Sequence, residues 1–333
     1  MTRMRTFTAF SFALALGAIG LSGEAHSADP VLRFAVITSG GQSEVPYAIQ
    51  KGGLDKKYGI QIEIIDFAAP GQQYTMIRSD AADIAGGNFI DLMRQRKAGV
   101  GIQAVHGFMG YNNLFVTKAD SSIKTFEDLK GKKVGNFGTT FLDWLIVRVA
   151  GKKGYNIDLE KDATLVQGAP PLLGQFLTKG EVDAIFQFST LTLAPVSRNE
   201  QRVVSYLPDL MKKAGLGADP FYLTWMLSEK WSKANPEAVG RLSAMLNEAY
   251  QLLKTDDSLW PTLAERIRIT DPALIVAYRE HARKYSNPAY RADLLKPTQD
   301  LVTDLVSIAG EQAVGITGID PAAFLFPTPT PAK

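Results

Sequence analysis

Short apolar runs alternate with amphipathic stretches along most of the chain. Leu32–Thr38 (LRFAVIT) is continuously apolar and ends in Ser39-Gly40-Gly41-Gln42-Ser43, the pattern of a buried parallel strand leading into a glycine loop. Pro46–Lys57 carries helical spacing at Tyr47, Ile49 and Leu54 and stops at Tyr58-Gly59, a glycine C-cap. Ile60–Phe67 reads as the next strand, followed by Ala68-Ala69-Pro70-Gly71, a short helix over Gln72–Ser79 and a short strand at Asp83-Ile84-Ala85. Gly86-Gly87-Asn88 reads as a second glycine loop opening a helix through Leu92 and Met93, and strands follow at Ile102–Val105 and Leu114–Val116. Strand and helix at crossover spacing predict a doubly wound parallel sheet.

The same grammar restarts after Lys118. Thr125–Leu129 reads as a short helix, Lys132–Asn136 as a strand broken by Phe137-Gly138, and Thr139 or Thr140 as the start of a helix through Phe141, Trp144 and Val147. A strand that feeds a helix through a Gly-Thr turn aims free N–H groups beyond the sheet edge, where they favour an anionic or strongly accepting ligand. A simpler reading makes Thr139-Thr140 only an N-cap. Ala163–Val166, Val182–Phe188 and Phe221–Leu227 are further strands, and Pro171–Lys179 is a helix ended by Gly180. From Asn235 the pattern is helical, with starts expected at Asn235-Pro236, Asp271-Pro272 and Asn287-Pro288; Pro327–Pro331 is expected to be a frayed tail. Two α/β blocks and a helical return follow, without an obvious sequence repeat. In open α/β sheets ligands sit at the carboxyl ends of strands.

Composition narrows the function. The 333 residues exceed most single cores, and a net charge of +2 gives no argument for nucleic acid. The absence of cysteine removes disulfides, thiolate metal sites and a cysteine nucleophile. Arg3 and Arg5 precede an apolar run from Phe7 to Leu21 and then small residues at Ser22-Gly23 and Ala25–Ala28, the pattern of a secretory signal peptide cleaved between about Ala25 and Ala28. The apolar run is short of a full membrane span.

No Walker loop, dinucleotide G-x-G-x-x-G, H-E-x-x-H or G-x-S-x-G is present. His106 ends a strand, where it either faces the crevice or is a satisfied structural residue. What remains are loops of small polar residues that offer hydroxyls, amides and bare N–H groups without a reactive acid or base, which suits binding better than bond-breaking. The candidate ligand residues are Ser39 and Gln42 in the first loop, Pro70 and Gly71 in the second, and Asn88 and Phe89 after the third strand. The second block supplies Thr139, Thr140, Phe141 and Phe188, and Trp225 stands on a late strand. No catalytic residue, metal ligand or cofactor is expected.

PYAIQKGGLDKKYGIQIEI, DAADIAGGN, FEDLKGKKVGNFGTT and GEVDAIFQFS occur in that order. The chain thereby resembles periplasmic binding proteins for nitrate, taurine and alkanesulfonates, with relatives tied to thiamine-pyrimidine supply. The resemblance runs from about Leu32 to Leu246, and DLKGKKV is its most specific part. It implies an α/β, two-lobed type II periplasmic binding protein fold, two doubly wound sheets joined by a two-segment hinge that closes on its ligand. Leu114–Lys118 and Phe221–Leu227 would be the crossings. The implied organisation is a signal peptide over 1–28, a first lobe over 29–117, a second over 118–222, and a return with C-terminal helices over 223–326. A disordered tail would occupy 327–333. A pyrimidine synthase on this fold would need a cysteine-rich motif that this chain lacks. The implied function is a periplasmic, monomeric solute-binding protein that hands a small molecule to an ABC permease. No arginine falls inside the loops, which leaves a sulfonate-like anion and an aromatic or heteroaromatic compound both open. An exported enzyme and a ligand sensor for a membrane receptor are the rival readings.

Overall fold

The computed structural model describes residues 28–37, 43–68, 71–216, 220–286 and 289–332. The expected signal segment and the loop 38–42 therefore lie outside the described residues, apart from Ala28. Strands β1 (Val31–Ile37), β2 (Gln61–Phe67), β3 (Ile84–Asn88), β4 (Ile102–Met109) and β10 (Leu223–Ser228) form one sheet in the order β2-β1-β3-β10-β4. Strands β5 (Leu114–Lys118), β6 (Lys133–Asn136), β7 (Thr164–Gln167), β8 (Ala184–Gln187) and β9 (Gln201–Tyr206) form the other, in the order β7-β6-β8-β5-β9. The two sheets repeat one topology, with β10 and β5 in equivalent places.

The sheets are mixed, which corrects the expectation of purely parallel ones. β10 runs antiparallel to both β3 and β4, and β5 antiparallel to both β8 and β9. β5 comes directly from the first sheet and β10 comes back from the second through a short helix, so neither follows a crossover within its own sheet and each enters antiparallel to its neighbours.

The crossings themselves also move. The chain leaves the first sheet at Met109 and enters the second at Leu114, so residues 110–113 make the first passage and Leu114–Lys118 is an interior strand. The return runs through the Leu207–Lys213 helix and on to Tyr222 before β10. Gly86 and Gly87, expected in a loop, are inside β3. A Cβ on Gly87 would lie 2.6 Å from the Tyr74 hydroxyl and 2.8 Å from Met226 Cε, so this glycine makes room for packing.

One apolar cluster runs without a break from Ala35 and Phe89 in the first block through Phe115, Trp144 and Phe186 in the second to Leu301 and Leu305 near the C-terminus. The opposite face of the first sheet, with Leu32, Phe34 and Trp225, is covered by helices that include Pro236–Thr255. A small third cluster around Leu114, Leu173 and Leu177 backs the second sheet.

The C-terminal helices do not stay with the first block. Leu295–Ala309 lies on Leu142–Tyr155, where Lys153 Nζ meets Asp304 Oδ2 at 2.6 Å and Arg148 Nη2 donates to the Ile308 carbonyl at 3.4 Å. The chain then returns to the first sheet, with Leu325 N donating to the Ala104 carbonyl at 2.8 Å. The tail expected to fray continues over the Pro236–Thr255 helix, and Thr330 N donates to the Gly240 carbonyl at 3.2 Å. Gly240 admits this approach, since a Cβ there would sit 2.9 Å from the Thr328 carbonyl. Among the described residues no helix is long and apolar enough to cross a membrane.

Candidate ligand-binding site

Strand direction locates the site. β3 and β4 both run against β10, and β1 runs with β3, so the carboxyl ends of β1, β3 and β4 share the edge from which the first passage leaves. β8 runs against β5, which begins at that passage, and β6 runs with β8. The ends of β1 and β3 therefore face those of β6 and β8 across one gap.

On the second-sheet side, β6 ends at Asn136, which is fully buried and accepts the Gly138 N–H through Oδ1 at 2.8 Å. Its Nδ2 has no partner among the described residues. Gly138 takes φ +141°, and a Cβ there would lie 2.6 Å from the Phe141 ring, so glycine is required in this turn. The helix opens at Leu142 with Phe141 as N-cap and no side-chain cap bond. Neither Thr139 nor Thr140 caps it, because the turn spends both residues before the helix starts. Phe137 packs 4.6 Å from Phe188, 5.7 Å from Phe141 and 5.5 Å from Phe186, ring centre to ring centre. Phe186 is sealed in the core, while Phe141 is 40% exposed and Phe188 half-buried, so the cluster presents an aromatic shelf.

The floor of the gap is a polar network. Asp143, 7% exposed in the first turn of its helix, accepts from Asn113 Nδ2 at 2.7 Å and from the Tyr222 hydroxyl. Burial pushes its carboxyl up to about 6 against these hydrogen bonds, which favour the charged form. Tyr222 stacks on Tyr111 at 4.2 Å, and the Tyr111 hydroxyl donates to the Phe221 carbonyl at 2.9 Å. Both passages are thus tied to the second block's helix.

The facing helix, Phe89–Lys97, mirrors this arrangement. Asn88 caps it by accepting the Asp91 N–H at 2.9 Å, and Asn88 Nδ2 donates to Asp91 Oδ2 at 2.8 Å. Arg94 Nη1 pairs with Asp91 Oδ1 at 3.0 Å, and the rest of its guanidinium donates to the Val314 and Ala313 carbonyls, each at 3.0 Å. Across the gap, Arg94 Nη2 reaches the Thr140 carbonyl at 3.5 Å. At the rim, Ser189 Oγ lies 2.8 Å from His281 Nε2, and burial lowers that imidazole to about 4. The N-termini of the Phe89–Lys97 and Leu142–Tyr155 helices therefore carry their own carboxylate, whereas the Ser189–Ser197 helix, which opens at the end of β8, has no acid in its first turn; Arg94 is already paired.

A family model described as NMT1/THI5 like matches residues 45–257, more than half of the chain. The chain belongs to the NMT1/THI5-like family. A Haemophilus influenzae protein provisionally named as a thiamine biosynthesis protein is 27% identical over 210 residues, which span 61% of this chain and 65% of that one. The match therefore covers less than two thirds of that relative's length. The alkanesulfonate-binding protein SsuA of Xanthomonas axonopodis pv. citri, solved bound to MOPS, superposes with a TM-score of 0.69 at 20% identity over 90% of this chain and all (100%) of its own. The periplasmic aliphatic sulphonate binding protein SsuA of Escherichia coli gives 0.73 at 17% identity over 91% and 94%. The fold of this NMT1/THI5-like chain is the periplasmic binding protein fold.

Of the residues expected to bind ligand in this family member, Asn88, Thr139, Thr140, Phe141 and Phe188 stand at the gap. Ser39, Gln42 and Pro70 lie outside the described residues. Gly71 is exposed beyond edge strand β2 as N-cap of Gln72–Arg78, with φ +94°. Two expectations fail. Trp225 is 0% exposed, packs 4.5 Å from the Phe108 ring and donates through Nε1 to the Tyr250 hydroxyl at 2.9 Å, as an interior residue of a central strand. Phe89 is equally sealed in the core. His106 proves structural: its nitrogens meet the Gly107 carbonyl at 2.7 Å and Asn247 Oδ1 at 3.1 Å. Sequence reasoning missed Asp91, Asn113 and Asp143. Acids in a helix's first turn complement the dipole anyway, so nothing in their spacing set these two apart.

Proposed function

We propose that this chain is the exported, monomeric binding component of an ABC importer, and that it takes a small aromatic or heteroaromatic molecule bearing N–H donors. The ligand lies between the blocks, its ring on the Phe141–Phe188 shelf and its donors toward the carboxylate floor. Closure around it presents the form that docks on a membrane permease. The observation that carries the ligand class is the pair Asp91 and Asp143 at two of the helix N-termini that open on the gap. A helix N-terminus attracts an anion because its N–H groups and dipole are unopposed, and an acid already in the first turn removes that attraction. The loops 38–42 and 69–70 contain no lysine or arginine to restore it. Sulfonate, taurine and nitrate, which the sequence left open, are thereby disfavoured at these two helices; the Ser189–Ser197 helix carries no such acid, and the structural neighbours include sulfonate binders. The Haemophilus relative's name points the same way, since thiamine is built of nitrogen heterocycles.

Calorimetric titration with aminopyrimidines, aromatic amines, aromatic carboxylates, alkanesulfonates and nitrate tests this reading. A donor-bearing heterocycle should bind, and Asp143→Asn should weaken it by about 1.5–3 kcal/mol, the range for a hydrogen bond to a charged group. Tight binding of sulfonate or nitrate alone would overturn it, and turnover of a bound compound would favour an exported enzyme.

A further inference from the structure

Asp143 is a charge without a counter-charge. It is 7% exposed on the floor of the gap, and its two side-chain partners, Asn113 Nδ2 and the Tyr222 hydroxyl, are neutral donors that both meet Oδ1. Among the described residues, the charge that acts on it is that of Asp91, a second carboxylate. Asp91 already has a cation of its own, because Arg94 Nη1 pairs with it at 3.0 Å. Asp91, Asp143 and Arg94 together therefore leave one negative charge in the gap.

The other elements that border the gap do not cancel it. The Ser189–Ser197 helix holds no charged residue. His281, beside Ser189, is lowered to about 4 by burial and is neutral at pH 7. Glu44, at the start of the helix after β1, is buried, accepts from the Tyr278 hydroxyl and has its carboxyl raised by burial, so it adds no positive charge. Lys212 and Lys284, grouped with Asp209 by the return passage, exert no effect on Asp143. Residues 38–42, 69–70, 217–219 and 287–288 contain no lysine, arginine or histidine. A buried ion is costly unless it is paired, and here the fold supplies no partner.

We propose that the ligand brings the missing charge: it is a monocationic aromatic or heteroaromatic molecule, with its positive N–H group on Asp143 and its ring on the Phe141–Phe188 shelf. This rests on the gap being the ligand site and adds the ligand's charge to that reading. The two contacts reinforce each other. A cation beside an aromatic face gains from the ring's negative quadrupole, and gains more where water is excluded. A neutral donor makes a weaker bond to the carboxylate and leaves its charge standing, and an anion meets it with repulsion.

The experiment uses benzamidine, benzamide and benzoate, which share one ring and nearly one shape but are cationic, neutral and anionic. Each is titrated calorimetrically into the folded protein. Benzamidine should bind at least about tenfold tighter than benzamide, the scale that separates a charged pair from a neutral hydrogen bond, and benzoate should bind weakest. Asp143→Asn should erase that preference by weakening benzamidine alone, and Phe188→Ala should weaken benzamidine and benzamide alike. Benzamidine keeps its charge between pH 5 and 8. Its affinity should therefore rise about tenfold from pH 5 to pH 7.5 as Asp143 loses its proton, and Asp143→Asn should flatten that profile. Benzamide binding as tightly as benzamidine, with both weakened by Phe188→Ala, would overturn the cationic ligand and leave the aromatic site standing. So would a preference for benzamidine that survives Asp143→Asn. Binding of benzoate alone, or of none of the three, would overturn the reading of the gap and this inference with it.

Discussion

Asp143 couples the chemistry of the gap to stability. Its carboxyl, raised to about 6, holds its proton more tightly in the folded protein than in the unfolded chain. The stability this gives is complete below the unfolded value of about 4 and is lost as pH rises through about 6. A displacement of that size is worth about 2–3 kcal/mol. Asp143→Asn keeps an oxygen to accept from Asn113 and Tyr222. In urea melts it should therefore be more stable than the native protein at pH 7.5, with the two converging near pH 4. The same ionisation predicts that a donor-bearing ligand binds more weakly as pH falls through 6, which titration at pH 5 and 7.5 would read. Asp143 was not legible in the sequence, because the groups that make it unusual, Asn113 and Tyr222, reach it from 30 and 79 residues away. Phe188 was legible, since a strand of alternating pattern followed by Ser-Thr places it at a sheet edge.

Among the elements, the turn between β6 and its helix separates two roles that sequence could not. With Phe141 as N-cap, Thr140→Val should leave the melting temperature unchanged, and any effect should appear in ligand affinity alone. Asn88 is a true cap, and Asn88→Ala should cost about 1 kcal/mol by denaturant melting. Trp225→Ala should cost about 3–5 kcal/mol, the scale for emptying a large aromatic site, with the gap ligand still bound at the native affinity when folding is saturated. The order of strands and helices was readable because the two periodicities differ so plainly. Antiparallel β5 and β10 were not, since direction depends on where a strand comes from rather than on its own residues. The Gly86-Gly87 pair misled for a related reason. Glycine signals a turn locally, but here the demand for it comes from Tyr74 and Met226 on other elements.

At the scale of the molecule, a ligand gripped by both blocks must favour the closed arrangement over the open one. At a hundredfold excess over its dissociation constant it should add about 2.7 kcal/mol to stability, seen as a raised melting temperature. X-ray scattering should show the radius of gyration falling at the same time, and an unchanged radius would place the ligand within one block. The two-block plan was visible in the repeated grammar of the chain. The bridging C-terminus was not, because an amphipathic helix records that it has a partner and not which one. That bridge has a mechanical consequence. The second block is held at the two passages and again along Leu295–Ala309, which starts against the return passage, with Phe221 N donating to Thr298 Oγ1, and runs down Leu142–Tyr155 to Lys153 and Asp304 before the chain is anchored back at β4. Two neighbouring hinges alone would allow the block to swing and also to twist, as a door hung from one short strip does. A third attachment acts as a stay: it removes the twist, limits the swing, and leaves opening as travel along a single arc.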